Sequence, residues 1–461
     1  MSYFRKKPID PNAHQNSVLK KELGAMDLIL LGIGAIVGTG IFVITGTAAA
    51  ETAGPALSLS FIMAGFACVL SALCFAEFAS RMPISGGAYS YAYSTFGELI
   101  GWITGWLMIC EYTLANASVA SGWSGYVHGL LNGLGIHFPK ALTASYNAEN
   151  GTYIDILAVL VMFVVAYLVT QGAKKVLRLN NVMVVVKFAI IFLFIIVGVF
   201  YVKPANWTPF APMGFSGITT GAAIVFFAFL GFDAVSMAAE EVKKPQRDLP
   251  IGIIGSLSIA TVLYVVVTLI LTGIVPFAEL NVKDPVAYAM RFIGQNQVSG
   301  IISIGAIVTL ITVLIAMIYG EARMIFAISR DGLLPKKLSK VNPKTQTPSN
   351  ATFVVGAVAG ILSGVVPLER LAQLTNIVTL MLFSIICIGV ILLRRDMGQP
   401  SKDEFRVPLV PFLPILGAAV SIYLMLQLSA TTWQIFILWL AIGLLVYAYY
   451  GYKHSHLNGK K

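Results

Sequence analysis

Charge is scarce in this 461-residue chain. Asp, Glu, Lys and Arg together make up 11% of it, against about 25% in an ordinary soluble domain. Hydrophobic residues fill 57%, and the mean hydropathy is +0.82. A chain so poor in charge cannot cover its surface against water, which excludes a soluble globular protein. Cysteine is equally sparse. Cys68, Cys74, Cys110 and Cys387 all fall inside apolar segments, and the five histidines stand at no ligand spacing beside them. That argues against a disulfide framework and against a zinc site. A membrane enzyme would need a His-Cys-Asp/Glu constellation in the apolar segments, and a channel would need charges to ring its pore; both are missing.

What the chain has instead is apolar length. A helix rising ~1.5 Å per residue needs about 20 residues to cross a ~30 Å hydrocarbon core. Runs of that order fall at residues 25–50, 56–80, 98–130, 153–171, 181–202, 217–240, 250–275, 298–328, 350–366, 371–393, 409–429 and 432–452. Twelve spans, an even number, put both termini on one side of a bilayer. The net charge of +10 does not point to nucleic acid, because the basic residues sit in short loops, where topology and anionic lipid heads account for them. Arg5, Lys6, Lys7, Lys20 and Lys21 precede the first span, and Lys174, Lys175 and Arg178 follow the fourth. Lys243, Lys244 and Arg247 follow the sixth, and Arg330, Lys336, Lys337, Lys340 and Lys344 the eighth. The opposite loops hold only scattered cations: Lys140, Lys203, Lys283, Arg291 and Arg370. Positive loops stay inside, so both ends are expected to be cytoplasmic. Residues 1–24 are polar and basic with no short apolar core before a small-residue cleavage site, so the first span is expected to act as the insertion signal.

Two spans do not read as plain helix. The first contains Gly32-Ile-Gly-Ala-Ile-Val-Gly-Thr-Gly-Ile-Phe42, whose four glycines weaken a continuous helix, and an opening is expected from Val37 to Gly40. Backbone freed at that depth needs partners in protein, water or ligand. On one reading the amides of Thr39, Gly40 and Ile41 start a second half-helix and suit a carboxylate; on the other, Gly32, Gly34 and Gly38 simply allow tight helix packing. The sixth span, five further on, carries Phe229-Leu-Gly-Phe-Asp233. An aspartate there costs about 2.5–3.5 kcal/mol on insertion scales unless it faces protein or water, so it is expected to face inward. Interrupted spans at matching places in two successive blocks of five are the sign of an inverted-repeat secondary transporter, and this pairing favours the ligand reading of the first break. The expected layout is an N-terminal segment over 1–24, repeat one over 25–202, repeat two over 203–393, two peripheral spans over 394–452 and a tail over 453–461. The connection from Arg81 to Phe96, rich in glycine and tyrosine, suits an interfacial turn and short helix, and the loop from Pro276 to Gln297 is long enough to form a lid.

The first break, Pro83-Ile-Ser-Gly-Gly-Ala-Tyr-Ser-Tyr91, the second break and Glu240-Glu-Val-Lys-Lys-Pro-Gln-Arg-Asp-Leu-Pro250 closely resemble the amino acid-polyamine-organocation superfamily. The last of these, with Arg323-Met-Ile-Phe-Ala-Ile-Ser-Arg-Asp-Gly-Leu-Leu-Pro335, is similar to its cationic amino acid transporter branch, bacterial members included. The resemblance covers spans one to ten. It implies an all-α, LeuT-like membrane fold of two crossed bundles, a 5+5 inverted repeat with discontinuous helices 1 and 6. It also implies amino acid uptake across the cell membrane without a cofactor. Carried over, the substrate carboxylate takes the amides of Thr39 and Gly40, and the ammonium takes the carbonyls of Ile36, Phe227, Ala228 and Leu230. Phe227 and Met317 are expected to shape the side-chain pocket, though either residue in a span also reads as packing.

Lys187 lies about 7 residues, or ~10 Å, past Asn180 in span five, too deep for easy snorkelling. Its amine is expected to face the opening near Gly38 and a polar group on span eight, and in resembling proton-coupled members a lysine here stands where sodium-driven relatives hold a cation. The proton is thus the expected coupling ion. Glu111 either bonds within the bundle interior or meets the substrate's far end and exchanges protons. Asp233 is expected to brace the break. Glu77 and Arg81 read as a helix pair, and Glu240, Glu241, Arg247 and Arg323 as an inner gate or a solvated charge run. A compact pocket with no second clear acid facing the site favours small or medium neutral L-amino acids over arginine or lysine, and exchange of one amino acid for another without a proton is the rival reading.

Overall fold

A computed structural model describes residues 5–7, 23–83, 86–171, 173–343, 345 and 347–457, without the side chains of 173–181, 237 and 240. Lys20, Lys21 and Lys344 lie outside the described residues, as do Ile84, Ser85 and the side chains of Lys174, Lys175, Arg178, Asn180 and Glu240. Among the described residues the chain is helical, with isolated bridges and no strand.

Helix falls inside the apolar runs read from the sequence. α1 spans Ala25–Ile36; Val37 and Gly38 leave the helix, and winding resumes in a wide π turn over Gly40–Ile44, followed by α2 (Thr45–Ala48) and a second π turn at Ala49–Ala53. α3 (Leu57–Arg81), α4 (Gly87–Thr95), α5 (Glu98–Gly133), α6 (Ile156–Thr170) and α7 (Ala173–Gly198) follow. α8 (Gly214–Val225) tightens into a 3-10 turn at Phe226–Phe229 and gives way to the short α9 (Ala234–Met237). The rest of the chain forms α10 (Pro245–Ile274), α11 (Pro285–Phe292), α12 (Asn296–Arg330), α13 (Ser349–Val365), α14 (Leu368–Met397), α15 (Phe412–Leu426), α16 (Ala430–Val446) and α17 (Tyr452–His454). Seven helical runs among the described residues are long and apolar enough to cross a membrane, the longest being Gly40–Arg81, and α1, α6, α13 and α15 are shorter apolar helices.

Packing sorts the helices into two groups. α1 lies on α10 and α3 on both α10 and α8, while α5, α6, α12 and α13 pack on one another. α7 touches α12 as well as α1 and α10, and α14 touches α5 and α3, so these two join the groups. Both interruptions belong to the first group, and the second group forms the wall they face. The loop expected as a lid carries α11, which packs on α12. α4 answers the expectation of a short helix before Phe96, and it is covered by protein. Tyr89, Tyr91 and Tyr93 are fully buried, because Tyr91 stacks on Phe78 with ring centroids 5.0 Å apart and α5 covers the helix.

Ion pairs between distant segments tie residues 5–7 to the helices around them. Arg5 lies 3.4 Å from the buried Glu98, which also accepts from Tyr447 (3.0 Å) and Ser455 (2.7 Å). Lys7 pairs with Asp331 at 2.9 Å, and Lys6 pairs with Asp396. Glu77 is more than half of a helix pair. Arg81, four residues on, approaches to 3.9 Å, whereas Arg394 grips Glu77 through Nε (2.8 Å) and Nη2 (2.6 Å) and the Val407 amide adds a third bond at 2.8 Å. The carboxylate has no exposed surface. Glu77→Ala should therefore strand a buried guanidinium and cost about 3–5 kcal/mol, seen as a lower thermal unfolding midpoint of the purified protein, with part of the loss restored in Glu77→Ala/Arg394→Met. An unchanged midpoint in the single variant would show that the pair carries no stability.

Candidate functional site

A helix that ends leaves its last four carbonyls without partners. At the end of α1 these belong to Ile33, Gly34, Ala35 and Ile36, and three partners are identified. The Val37 amide donates back to Ile33 O at 2.9 Å. Lys187 donates to Gly34 O, and the Tyr264 hydroxyl lies 2.9 Å from Ile36 O.

That hydroxyl also lies 2.7 Å from Ala228 O in the second interruption. One phenolic proton is thus shared between the two broken segments. Tyr264 is fully buried on α10, held by the rings of Phe61 and Phe229 at 5.3 Å each. In the second interruption Asn376 of α14 donates to Ala223 O (2.7 Å) and Ile224 O (2.9 Å), and the Leu230 amide turns back to Phe227 O at 3.3 Å. The chain then reverses through Gly231, whose φ of +107° is a conformation that side-chain-bearing residues rarely adopt.

The interruptions touch. A Cβ built on Gly40 would fall 2.3 Å from Ala228 Cα, and one on Gly231 would fall 3.0 Å from Ala35 Cβ. The packing reading of the first break also holds for one residue, since Gly32 lies against Ser256 of α10. Thr39 begins the resumed winding of the first span. It is 2% exposed, and its hydroxyl is buried without a hydrogen-bond partner, beside the amides that open a new helical turn.

Lys187 is 1% exposed, so its amine does not reach the surface. Its recorded bond goes to Gly34, one turn before Gly38, and not to a residue of α12. The reason is the carbonyl supply: Gly34 O is free because α1 stops at Ile36, and the end of a helix is the negative end of its dipole.

Leu230, Met317 and Glu111 line a cavity of about 80 Å³ together with Ala35, Asp233 and Gly320. Ile36, Thr39, Gly40, Phe227 and Ala228 lie at the junction of the interruptions rather than in that lining. Asp233 braces the break, through a bond with the Tyr112 hydroxyl of α5. It is also a second acid on the cavity, a position that the sequence reading did not give it. Glu111 accepts from Thr379 of α14 at 2.7 Å. In the expected inner gate, Arg323 stacks over Tyr319 of its own helix at 3.9 Å. Tyr264, Asn376 and Glu321 were missed by sequence reasoning. Each was visible as a polar group in an apolar span, but nothing in the sequence named its partner.

Two interrupted helices meeting beside a cavity that carries two acids, in a protein this apolar, point to a membrane transporter. A family model described as "Amino acid permease" matches residues 23–451, and the chain belongs to that family. It is 50% identical over 459 residues to the methylthioribose transporter of Bacillus subtilis and 50% identical over 464 residues to the branched-chain amino acid permease BcaP of the same organism, with 99% of both chains covered in each case. It is 40% identical over 417 residues to the chloroplastic cationic amino acid transporter 9 of Arabidopsis thaliana, covering 88% of this chain and 73% of the relative. The chain is thus an amino acid transporter of the amino acid-polyamine-organocation superfamily, embedded in a membrane by several helices.

The contact between the breaks is directly testable. Gly40→Ala places a methyl into Ala228 and should abolish substrate binding by the purified protein, whereas Gly133→Ala, where a Cβ meets nothing within 4 Å, should leave it unchanged. Equal binding by both variants would separate the interruptions from the site.

Proposed function

We propose that the protein is a proton-coupled importer of small or medium neutral L-amino acids, held between the two interruptions and moved by alternating access. The observation that carries this reading is the junction itself. The Thr39 hydroxyl there is without a partner, and the carbonyls of Ile36 and Ala228 share one phenolic proton; in this scheme the amides of Thr39 and Gly40 join the first and the carbonyls of Phe227 and Leu230 the second. A carboxylate suits the first set and an ammonium the second, because each carbonyl has a second lone pair beyond its present bond. The cavity wall adds Leu230 and Met317, which suits a modest apolar side chain.

The larger architecture follows from the same reading: twelve spans, two inverted repeats of five with helices 1 and 6 discontinuous, two peripheral spans and both termini in the cytoplasm of a cell whose plasma membrane the protein crosses. Supporting it, α1 packs on α10 and α3 on α8, the reciprocal contacts that related repeats would make across a pseudo-two-fold.

Lys187 is the coupling residue in this scheme. Its protonated amine ties α7 to the end of α1 through Gly34, and a charge-assisted bond there is about twice as strong as a neutral one. Losing the proton loosens α1, the segment whose continuation carries Thr39 and Gly40. Glu111, on the cavity, is the second group in proton exchange. One relative's name raises a second substrate, since methylthioribose lacks a carboxylate and an ammonium but could use the same bonds.

Radiolabelled uptake into proteoliposomes with an imposed proton gradient, run across an amino acid panel and competed with methylthioribose, tests the whole. Accumulation that ignores the gradient but needs internal amino acid would establish the exchanger instead. Lys187→Ala should abolish gradient-driven accumulation and retain substrate binding, and pH-driven accumulation surviving in that variant would remove the lysine from the mechanism. Met317→Ser should enlarge the pocket and admit larger or cationic amino acids; an unaltered selectivity profile would mean that Met317 is only packing.

A further inference from the structure

A third buried acid stands outside this scheme. Glu321, one turn beyond Met317 on α12, has no exposed surface, and among the described residues it makes no ion pair. Its carboxyl group meets two groups of α5. The Thr113 hydroxyl lies 2.5 Å from Oε1, and Asn116 Nδ2 lies 2.9 Å from Oε2.

In this arrangement both neighbours donate, which suits a carboxylate. Asn116 Oδ1, however, is buried without a partner. Turning the amide over brings that oxygen onto Glu321, where a protonated carboxyl can donate to it, and the Thr113 hydroxyl can reverse in the same way. The trio therefore makes hydrogen bonds in either protonation state without a change of backbone. An unpaired carboxylate buried this deep is costly, and no basic side chain is at hand to neutralise it.

The titratable surroundings are few. Cys110, Glu111 and Tyr112 come from α5, and Tyr319 and Arg323 share α12, with the guanidinium over the Tyr319 ring. α13 carries no titratable side chain, and on α6 Tyr167 is 58% exposed. Among the described side chains of α7 the ionisable one is Lys187, which is bonded to Gly34, and α1 offers only Asp27, an exposed residue at its start. A proton is thus the ligand that Glu321 can take.

We propose that Glu321 is a proton-binding site separate from Lys187, and that its ionisation sets how transport depends on pH. Gly320 and Met317 beside it, and Tyr112 and Ala115 opposite, line the cavity, and Tyr112 bonds Asp233 of the second interruption. A proton gained or lost between α5 and α12 therefore changes the contact of the two helices that wall the site. The link to transport rests on the function proposed above, but the titration itself does not, so the two can fail separately.

Infrared difference spectra of the purified protein, taken from acid to alkaline pH, should show a buried carboxyl band that disappears on deprotonation and is missing in Glu321→Gln. Thr113→Val removes a donor to the carboxylate, disfavours the anion and should move the midpoint of that band upward by about one pH unit or more. In vesicles held at equal pH on both sides, exchange of L-leucine should lose one ionisation from its pH profile in Glu321→Gln. A Glu321→Gln spectrum that has lost no titrating carboxyl component relative to the unaltered protein, or a midpoint that stays put in Thr113→Val, would overturn the site. An exchange profile in Glu321→Gln that superimposes on that of the unaltered protein would reduce Glu321 to a structural group.

Discussion

A peptide group that leaves a helix inside apolar protein must find another partner, and this constraint shapes the centre of the molecule. The chain breaks twice, and the surrounding helices supply what the breaks demand. α7 supplies Lys187 to Gly34, α10 supplies Tyr264 to Ile36 and Ala228, and α14 supplies Asn376 to Ala223 and Ile224. Each donor is a buried polar tip on a helix that is largely apolar. Satisfying the breaks therefore also joins helices that dispersion forces alone would leave free to slide.

These joints differ in kind. Tyr264 links two segments of the first helix group to α10, which belongs to the same group, so it stiffens that group internally. Lys187 and Asn376 reach in from the helices that connect the groups. Only the lysine can gain or lose a charge at its joint. On the proposed function, that makes α7, which touches α1, α10 and α12, an element through which a proton can alter how the groups lie together.

Apolar helices, an opening in the first span and the buried depth of Lys187 were legible in the sequence because each is a local property: hydropathy over a window, propensity over a few residues, distance along one helix. The opening expected over 37–40 is confined to Val37 and Gly38, because helical winding resumes at Thr39. The partners were not. Tyr264 and Ala228 are 36 residues apart and Tyr264 and Ile36 are 228 apart, and no periodicity relates them. The sequence placed the Lys187 amine near Gly38 but could not name its partner, since which carbonyl is free depends on the last hydrogen-bonded residue of α1. Burial of α4 was hidden because tyrosine, glycine and serine look equally at home at a membrane surface, and only the stacking on Phe78 and the cover of α5 decide the matter. Glu321 carried the same signal as Glu111 and Asp233, an acid in an apolar run, but it stands two residues before Arg323, where an apolar span gives way to charge, and it was not singled out.

On the proposed reading, the contact between the interruptions explains why the joints are hydrogen bonds and not tighter packing. Gly40 lies against Ala228 where the substrate is proposed to bind, so an amino acid enters there only if the interruptions separate. Separation stretches the shared Tyr264 proton and the close contact of Gly40 with Ala228. The ammonium then takes up carbonyls that the phenol relinquishes, and the carboxylate meets Thr39. A typical exchange of one neutral hydrogen bond for another changes the free energy by only about 1 kcal/mol. A cycle that must both fill and vacate the site needs such a balance, because a deep minimum on either side would hold the helices in one arrangement.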